Sequence, residues 1–301
     1  MHTESVNGVP LGAEEDPSAP FGTVAIIGVG LIGGSLGMAL KQRGLARRII
    51  GIGRDPARLD KAARLGAIDT GSTDLAEGVT DADIVIVCTT IGHILDTLPQ
   101  TLRLARPDAV VTDVGSTKSA IVQRAEGAPR FVGGHPMAGS EQTGVEAAAP
   151  TLFQEATWAL TPTERTDPQA AAVVRRLAQS VGAATLLTTP DAHDAMVAVT
   201  SHLPHVLASA LMRQAAGVRA TLPDVARLSA GSFADGTRVA AASPEIWRDV
   251  CLSNQQAVLR ALHDFRGQLG ALEAAVAAQD AGAIEAFFAA GRAAKREWNA
   301  R

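Results

Sequence analysis

The stretch from Val24 to Gly37, VAIIGVGLIGGSLG, constrains this chain more than any other, because an apolar run of strand type leads into Gly28-x-Gly30-x-x-Gly33 and then into a helical pattern. Each glycine has a physical task in that setting. The first permits a tight turn, the second lets the backbone approach a pyrophosphate, and the third lets a helix pack closely on a strand, with the helix N-terminal amides facing the phosphates. Gly28, Gly30, Leu31, Ile32 and Gly33 are therefore the candidate cofactor-binding residues, and a nicotinamide or flavin dinucleotide is the expected ligand. The competing reading is a glycine-rich turn that binds nothing; the flanking strand and helix weigh against it.

From Phe21 to Thr189 short apolar runs alternate with helical stretches, the pattern of an α/β, doubly wound parallel sheet covered on both faces. The runs predict strands at Val24–Gly28, Ile49–Gly53, Ile84–Cys88, Ala109–Asp113, Phe131–Gly133, Trp158–Thr161 and Ala184–Thr188. Asp55 reads as a helix N-cap with Pro56 at the first helical position, and Gly66 reads as the stop. After Pro190 the strand signals vanish, and helical patterns follow over 190–217, 223–231, 244–275 and 280–298. Residues 190–301 are thus expected to form a second, all-helical domain after a 21–189 dinucleotide-binding domain. Its Ala and Leu positions exceed one amphipathic face, which points to a homodimer made through it.

The second predicted strand ends at Gly53, about twenty residues after Gly33, where an NAD-binding fold normally places an acidic residue on the ribose. Here Gly53 is followed by Arg54, whose guanidinium could pair with a 2′-phosphate, so NAD(P) use leans towards NADP. Arg54 stacked on adenine or facing solvent would be compatible with NAD.

The net charge of −4 and the scattered Lys and Arg residues give no basic stripe, so no nucleic-acid partner is expected. Cys88 and Cys251 read as two separate buried thiols in a reducing, cytoplasmic setting. No segment reads as a membrane span. Residues 1–20 lack the regions of a signal peptide and read as a disordered leader.

Three more segments sit at strand ends or at the start of the helical part. In Asp113-Val-Gly-Ser116-Thr-Lys118, Ser116 could bond a substrate, orient a base, or simply cap a helix. In Gly133-Gly134-His135-Pro136-Met137-Ala138-Gly139-Ser140-Glu141, the paired glycines and His-Pro hold an imidazole in a constrained loop, a setting that suggests catalysis. In Ser201-His202-Leu203-Pro204-His205, Ser201 and His205 share a helix face, and Pro204 disrupts the backbone hydrogen bonding there. His193, His202 and His205 lack metal-ligand spacing, so no metal site is expected.

Together these segments, with FADGTRVA and WRD over 233–249, resemble the prephenate and arogenate dehydrogenase family of tyrosine biosynthesis, over nearly the whole chain after the leader. The resemblance implies a Rossmann domain joined to a helical dimerisation domain, and an oxidative decarboxylation in which a hydride passes from the substrate ring to a nicotinamide. By the same resemblance His135 is the catalytic histidine, and Ser116 is the serine that contacts it and the substrate hydroxyl. Arg238 matches the arginine that binds a substrate carboxylate. Ser201 and His205 match substrate-pocket residues, with Ser140 and Glu141 as further substrate candidates. Glu141 bears on prephenate against arogenate, and prephenate is the expected substrate. Lys118 keeps open a hydroxyacid dehydrogenase with a catalytic lysine. A non-catalytic nucleotide sensor is the other alternative. Some family members carry a fused chorismate mutase or ACT domain; the short leader and the end at Arg301 predict neither here.

Overall fold

A computed structural model of the protein describes residues 5–6, 9–10, 19–140 and 142–300. Most of the expected leader, and Glu141, lie outside the described residues; within the leader Ser5–Val6 (β1) pairs antiparallel with Val9–Pro10 (β2). The main strands are Phe21–Ile27 (β3), Ala46–Ile52 (β4), Thr70–Ser72 (β5), Ile84–Val87 (β6), Val110–Asp113 (β7), Phe131–Pro136 (β8), Thr157–Thr161 (β9) and Ala184–Leu187 (β10). They form one eight-stranded sheet in the order β10-β9-β8-β7-β6-β3-β4-β5. Between them run helices Leu31–Gln42 (α1), Pro56–Arg64 (α2), Leu75–Val79 (α3), Ile91–Leu104 (α4), Ser119–Arg124 (α5) and Pro168–Ser180 (α6).

Alternation along β3 shows how both faces are covered. Val24 and Ile26 pack with Leu36 and Leu40 of α1, while Ala25 and Ile27 belong to a second cluster with Ile94 and Leu98 of α4. Asp55 accepts the Ala57 amide at 2.9 Å, Pro56 opens α2, and Gly66 follows its end at φ +78°.

The structure corrects the sequence reading in three places. The sheet is not wholly parallel, since β8 and β9 pair antiparallel, Gly133 opposite Thr161 through Pro136 opposite Trp158. Among the described residues no α-helix joins these two strands and a 3₁₀ turn lies at Val145–Ala147, whereas a parallel pair needs a crossover. β5, three residues of Thr-Gly-Ser with no apolar run, escaped the pattern. His135 lies inside β8 rather than in a loop, because the two glycines keep the strand running where side chains would clash: a Cβ on Gly133 would stand 2.4 Å from Thr161 Oγ1, and one on Gly134 2.9 Å from Trp158 Nε1.

After β10 the chain is helical. Pro190–Val197 (α7), a π-helical segment Ala198–His202 and Leu203–Arg219 (α8) follow one another without a break. Their continuity makes Pro190–Arg219 long and apolar enough by composition to cross a membrane, which the sequence reading did not find, although Asp191, His193 and Asp194 lie in its first turns. The expected helix over 223–231 is a 3₁₀ turn at Pro223–Leu228, followed by Gly231–Thr237 (α9) and a 3₁₀ turn at Arg238–Ala241. The expected helix over 244–275 is interrupted at Asn254, giving Pro244–Ser253 (α10) and Gln255–Ala277 (α11). Ala281–Asn299 (α12) is the last helix. By internal contacts Met1–Gln255 is one compact unit and Gln256–Arg301 a second, purely helical one, so the change from strands to helices near residue 190 falls inside the first unit.

Candidate active site

The fingerprint turn has the shape a dinucleotide requires. Gly28 sits at φ +91°, and a Cβ there would lie 2.8 Å from the Cys88 carbonyl. A Cβ on Gly33 would lie 2.2 Å from the Gly28 carbonyl, so only glycine lets α1 seat on β3. Gly30 has nothing within 4 Å of its Cβ position, and no side chain caps the helix it opens. The amides at the start of α1, with Leu31 and Ile32, are thus open to an anion. Beside Gly28, the buried Thr89 Oγ1 has no hydrogen-bond partner, a polar atom suited to a ligand. Past the ends of β4 and β5 lies a cavity of about 260 Å³ lined by Pro56, Leu59, Asp60, Ser72, Thr73 and Glu77. Arg54, two residues after the end of β4 and two before Pro56, is exposed. These residues fit a dinucleotide.

At the end of β7 the chain turns through Asp113 to Lys118, and this turn is built around a buried ion pair. Lys118 Nζ donates to the Asp113 carboxylate and, at 2.7 Å, to the Gly134 carbonyl. Asp113 also accepts the amides of Gly115 and Gly134, at 2.8 and 3.1 Å. Burial pushes the Lys118 pKa down while Asp113 holds it up. The Lys118 ammonium is thereby held on two acceptors, and Lys118 is a strut between β7 and β8, not a free catalytic amine. Ser116 is half-buried in this turn and does not cap α5. The cap comes from Asp194, which accepts the amides of Lys118 at 2.7 Å and Ser119 at 2.9 Å.

His135 is buried in β8, and its Nδ1 lies 2.9 Å from His193 Nε2, with the rings edge to face at 5.1 Å. His193 Nδ1 in turn lies 2.8 Å from Asp194 Oδ1. α7, which carries both, starts at Pro190 with the Thr189 hydroxyl accepting the Ala192 amide. Burial, then the neighbouring His193, Lys118 and His202, hold the His135 pKa well below the usual imidazole value, so the ring is neutral and able to take a proton.

A chain of contacts continues from there. Asn254 Nδ2 donates to the Asp194 carbonyl at 2.8 Å and lies 3.2 Å from His202 Nδ1. Burial lowers the His202 pKa to about 4. Trp247 meets His202 edge to face at 5.8 Å and stacks on His205 at 3.8 Å. His205 Nδ1 is buried without a partner. Burial lowers the His205 pKa, the Arg238 cation adds to this, and a backbone contact from Val239 opposes it. His135, His205 and Arg238 are therefore joined in one cluster, with the half-buried Ser201 one turn from His205. Ser140 is not part of it: it lies exposed in the loop after β8, where its hydroxyl accepts the Gln142 amide at 3.2 Å.

Asp113, His193, Asp194 and Asn254 were missed as site residues in the sequence. His193 and Asp194 carried one signal, an adjacent acid and imidazole directly after the Thr-Pro helix start; Asn254 carried none.

Two family descriptions match the chain: "Prephenate dehydrogenase, nucleotide-binding domain" over residues 36–187 and "Prephenate dehydrogenase, dimerization domain" over residues 189–290. The chain is 35% identical to a prephenate dehydrogenase of Bacillus subtilis over 271 residues, 88% of this chain and 73% of that one. It is 33% identical to a cyclohexadienyl dehydrogenase of Zymomonas mobilis over 86% of this chain and 90% of that one. Among solved structures, prephenate dehydrogenase from A. aeolicus in complex with hydroxyphenyl propionate and NAD+ superposes with a TM-score of 0.87 at 31% identity, covering 93% of this chain and 99% of that one. Synechocystis arogenate dehydrogenase superposes with a TM-score of 0.80 at 34% identity, covering 92% and 99%.

Proposed function

The chain belongs to the prephenate dehydrogenase family, and from that premise we propose that it oxidatively decarboxylates prephenate to 4-hydroxyphenylpyruvate and carbon dioxide with reduction of a nicotinamide cofactor. The observation that carries the reading is His135: a buried imidazole, held neutral, on the strand next to the Ser116 turn. Gly28, Gly30, Gly33 and Thr89 would hold the cofactor, which would supply the hydride acceptor.

The chain's own residues do the rest. His135 accepts the proton of the ring hydroxyl as carbonyl character develops there, and its low pKa keeps it available for that step. Ser116, in a turn fixed by the Lys118 strut and the Asp194 cap, holds the hydroxyl towards it. Arg238 presents a bidentate fork to a substrate carboxylate, and His205, flattened on Trp247, offers an unpaired nitrogen to a polar group of the substrate. Loss of the ring carboxylate aromatises the product, which drives the reaction. Locking Lys118 against Asp113 removes the basis for a hydroxyacid dehydrogenase with a catalytic lysine.

At the nucleotide end Arg54 supports NADP, while the Asp60 and Glu77 carboxylates in the adjoining cavity favour a ribose hydroxyl. Arogenate, the substrate named for the Synechocystis relative, is the second reading. Residues 189–290 match a dimerisation domain, and the apolar helix Pro190–Arg219 supports a homodimer. A cytoplasmic site belongs to the same proposal, since the two cysteines are free thiols and nicotinamide pools are available there.

Turnover followed by reduced-nicotinamide absorbance, with prephenate and arogenate each paired with NAD and NADP, tests the reaction and both specificities. Prephenate is expected to react faster; Arg54→Ala lowers the NADP-to-NAD ratio of kcat/KM if Arg54 reads the phosphate. His135→Asn is expected to abolish turnover with cofactor binding intact, and Arg238→Ala to raise the substrate KM with little effect on that of the cofactor. Near-normal turnover in His135→Asn overturns the assignment of the base.

A further inference from the structure

We propose that His193 and Asp194 form a positioning couple that fixes the tautomer of His135, leaving Nε2 as the nitrogen that takes the substrate proton. The proposal rests on His135 being the base of the reaction above. An ionised carboxylate can only accept hydrogen bonds. Asp194 stays ionised: burial, the largest influence, pushes its pKa up, but His193 and the amides of Ser119 and Lys118 outweigh it and hold the pKa below the usual carboxylate value.

His193 Nδ1 therefore carries a proton and donates it to Asp194 Oδ1 at 2.8 Å. With that single proton on Nδ1, His193 presents a bare Nε2, and the proton of the 2.9 Å contact is then the one on His135 Nδ1. The lone pair of His135 is left on Nε2. When the substrate O–H bond breaks, its proton bonds to that nitrogen and the electron pair stays on oxygen. The imidazolium so formed donates to His193, whose own donor is anchored on a carboxylate. With the opposite polarity, His135 would carry its proton on Nε2 and could not accept another.

The couple is also rigid. Both Asp194 oxygens hold amides of the turn that carries Ser116, Asn254 holds the Asp194 carbonyl, and His193 is buried. One side chain thus sets the base and the turn beside it in register. The charged and titratable groups facing His135 are His193 on α7, Lys118 on the turn, and His202 on the π-helical segment, with Asp113 and Asp194 behind them.

Two measurements test the inference. Long-range 15N–1H NMR of the enzyme without substrate is expected to show His135 protonated on Nδ1 and bare on Nε2; the reverse tautomer overturns the proposal whatever the activity. In turnover, His193→Phe, which leaves the Asp194 bonds to the turn in place, is expected to lower kcat about a hundredfold and to shift the acid limb of kcat/KM, with cofactor affinity unchanged. His193→Gln, whose side-chain oxygen can still accept from Nδ1, is expected to recover part of that loss. An unaltered kcat and acid limb in His193→Phe refute the couple. Absence of turnover in the unmutated enzyme would instead count against the proposed reaction, and the tautomer would still be read directly.

Discussion

Replacing Lys118 with methionine isolates the buried ion pair at the centre of the site. Lys118 and Asp113 side chains are both 0% exposed, and the ammonium serves the Asp113 carboxylate and the Gly134 carbonyl together. Methionine fills most of the volume but leaves the carboxylate with only the amides of Gly115 and Gly134. Removing one partner of a buried pair costs about 3–5 kcal/mol, and the orphaned carbonyl adds about 1 kcal/mol. The two retained amides offset part of this, so the expected loss is about 4 kcal/mol, a large share of the roughly 5–15 kcal/mol that holds a domain together. Urea denaturation followed by fluorescence reads it well, because buried Trp158 lies against Gly134. Asp113→Asn combined with Lys118→Met removes the uncompensated charge and is expected to recover at least half of the loss. A single-variant loss below about 1 kcal/mol, the size of an exposed ion pair, would refute the reasoning. So would a Lys118→Met protein of normal stability without turnover, since that would make the amine catalytic.

Other perturbations have equally definite outcomes. Gly33→Ala places a methyl 2.2 Å from the Gly28 carbonyl, so α1 must move off β3; a loss of about 2–3 kcal/mol and a raised cofactor KM are expected, and unchanged cofactor binding would separate the fingerprint from the ligand. His202, with its pKa lowered from 6.5 to about 4, binds a proton more readily unfolded than folded, so its stabilising effect is complete above pH 6.5 and is lost as pH falls towards 4. Denaturation midpoints across that window are expected to fall more steeply for the parent than for His202→Phe, and equal slopes would remove His202 as a source.

Much of the fold was legible because its signals are local. The fingerprint glycines, the Asp55-Pro56 helix start and the apolar strands each depend on a few neighbouring residues, and each appears where expected. The antiparallel β8–β9 pair was not legible, since parallel and antiparallel pairing differ in the connection and not in the apolar run. Of the expected site, His135 stood out through its glycines. Its second imidazole did not, because the 2.9 Å contact between His135 and His193 spans 58 positions and is made by tertiary packing alone. Asn254 reads as an ordinary polar residue within a helical pattern, and only the break between α10 and α11 reveals its contacts with Asp194 and His202.

The π-helical segment at Ala198–His202 works as a phase shifter. One extra residue in a turn rotates everything beyond it by about 100° relative to an unbroken α-helix. Upstream of it the rod aims His193 at the sheet, and downstream it aims His205 at Trp247. A plain helix through the same residues would aim one of these imidazoles elsewhere. The segment lies just before Pro204, which lacks a backbone donor, so the irregularity that a proline imposes becomes the means by which one rod reaches both His135 and Trp247. Its length is therefore a matter of timing along the helix, and losing a single residue there would set the two halves out of step.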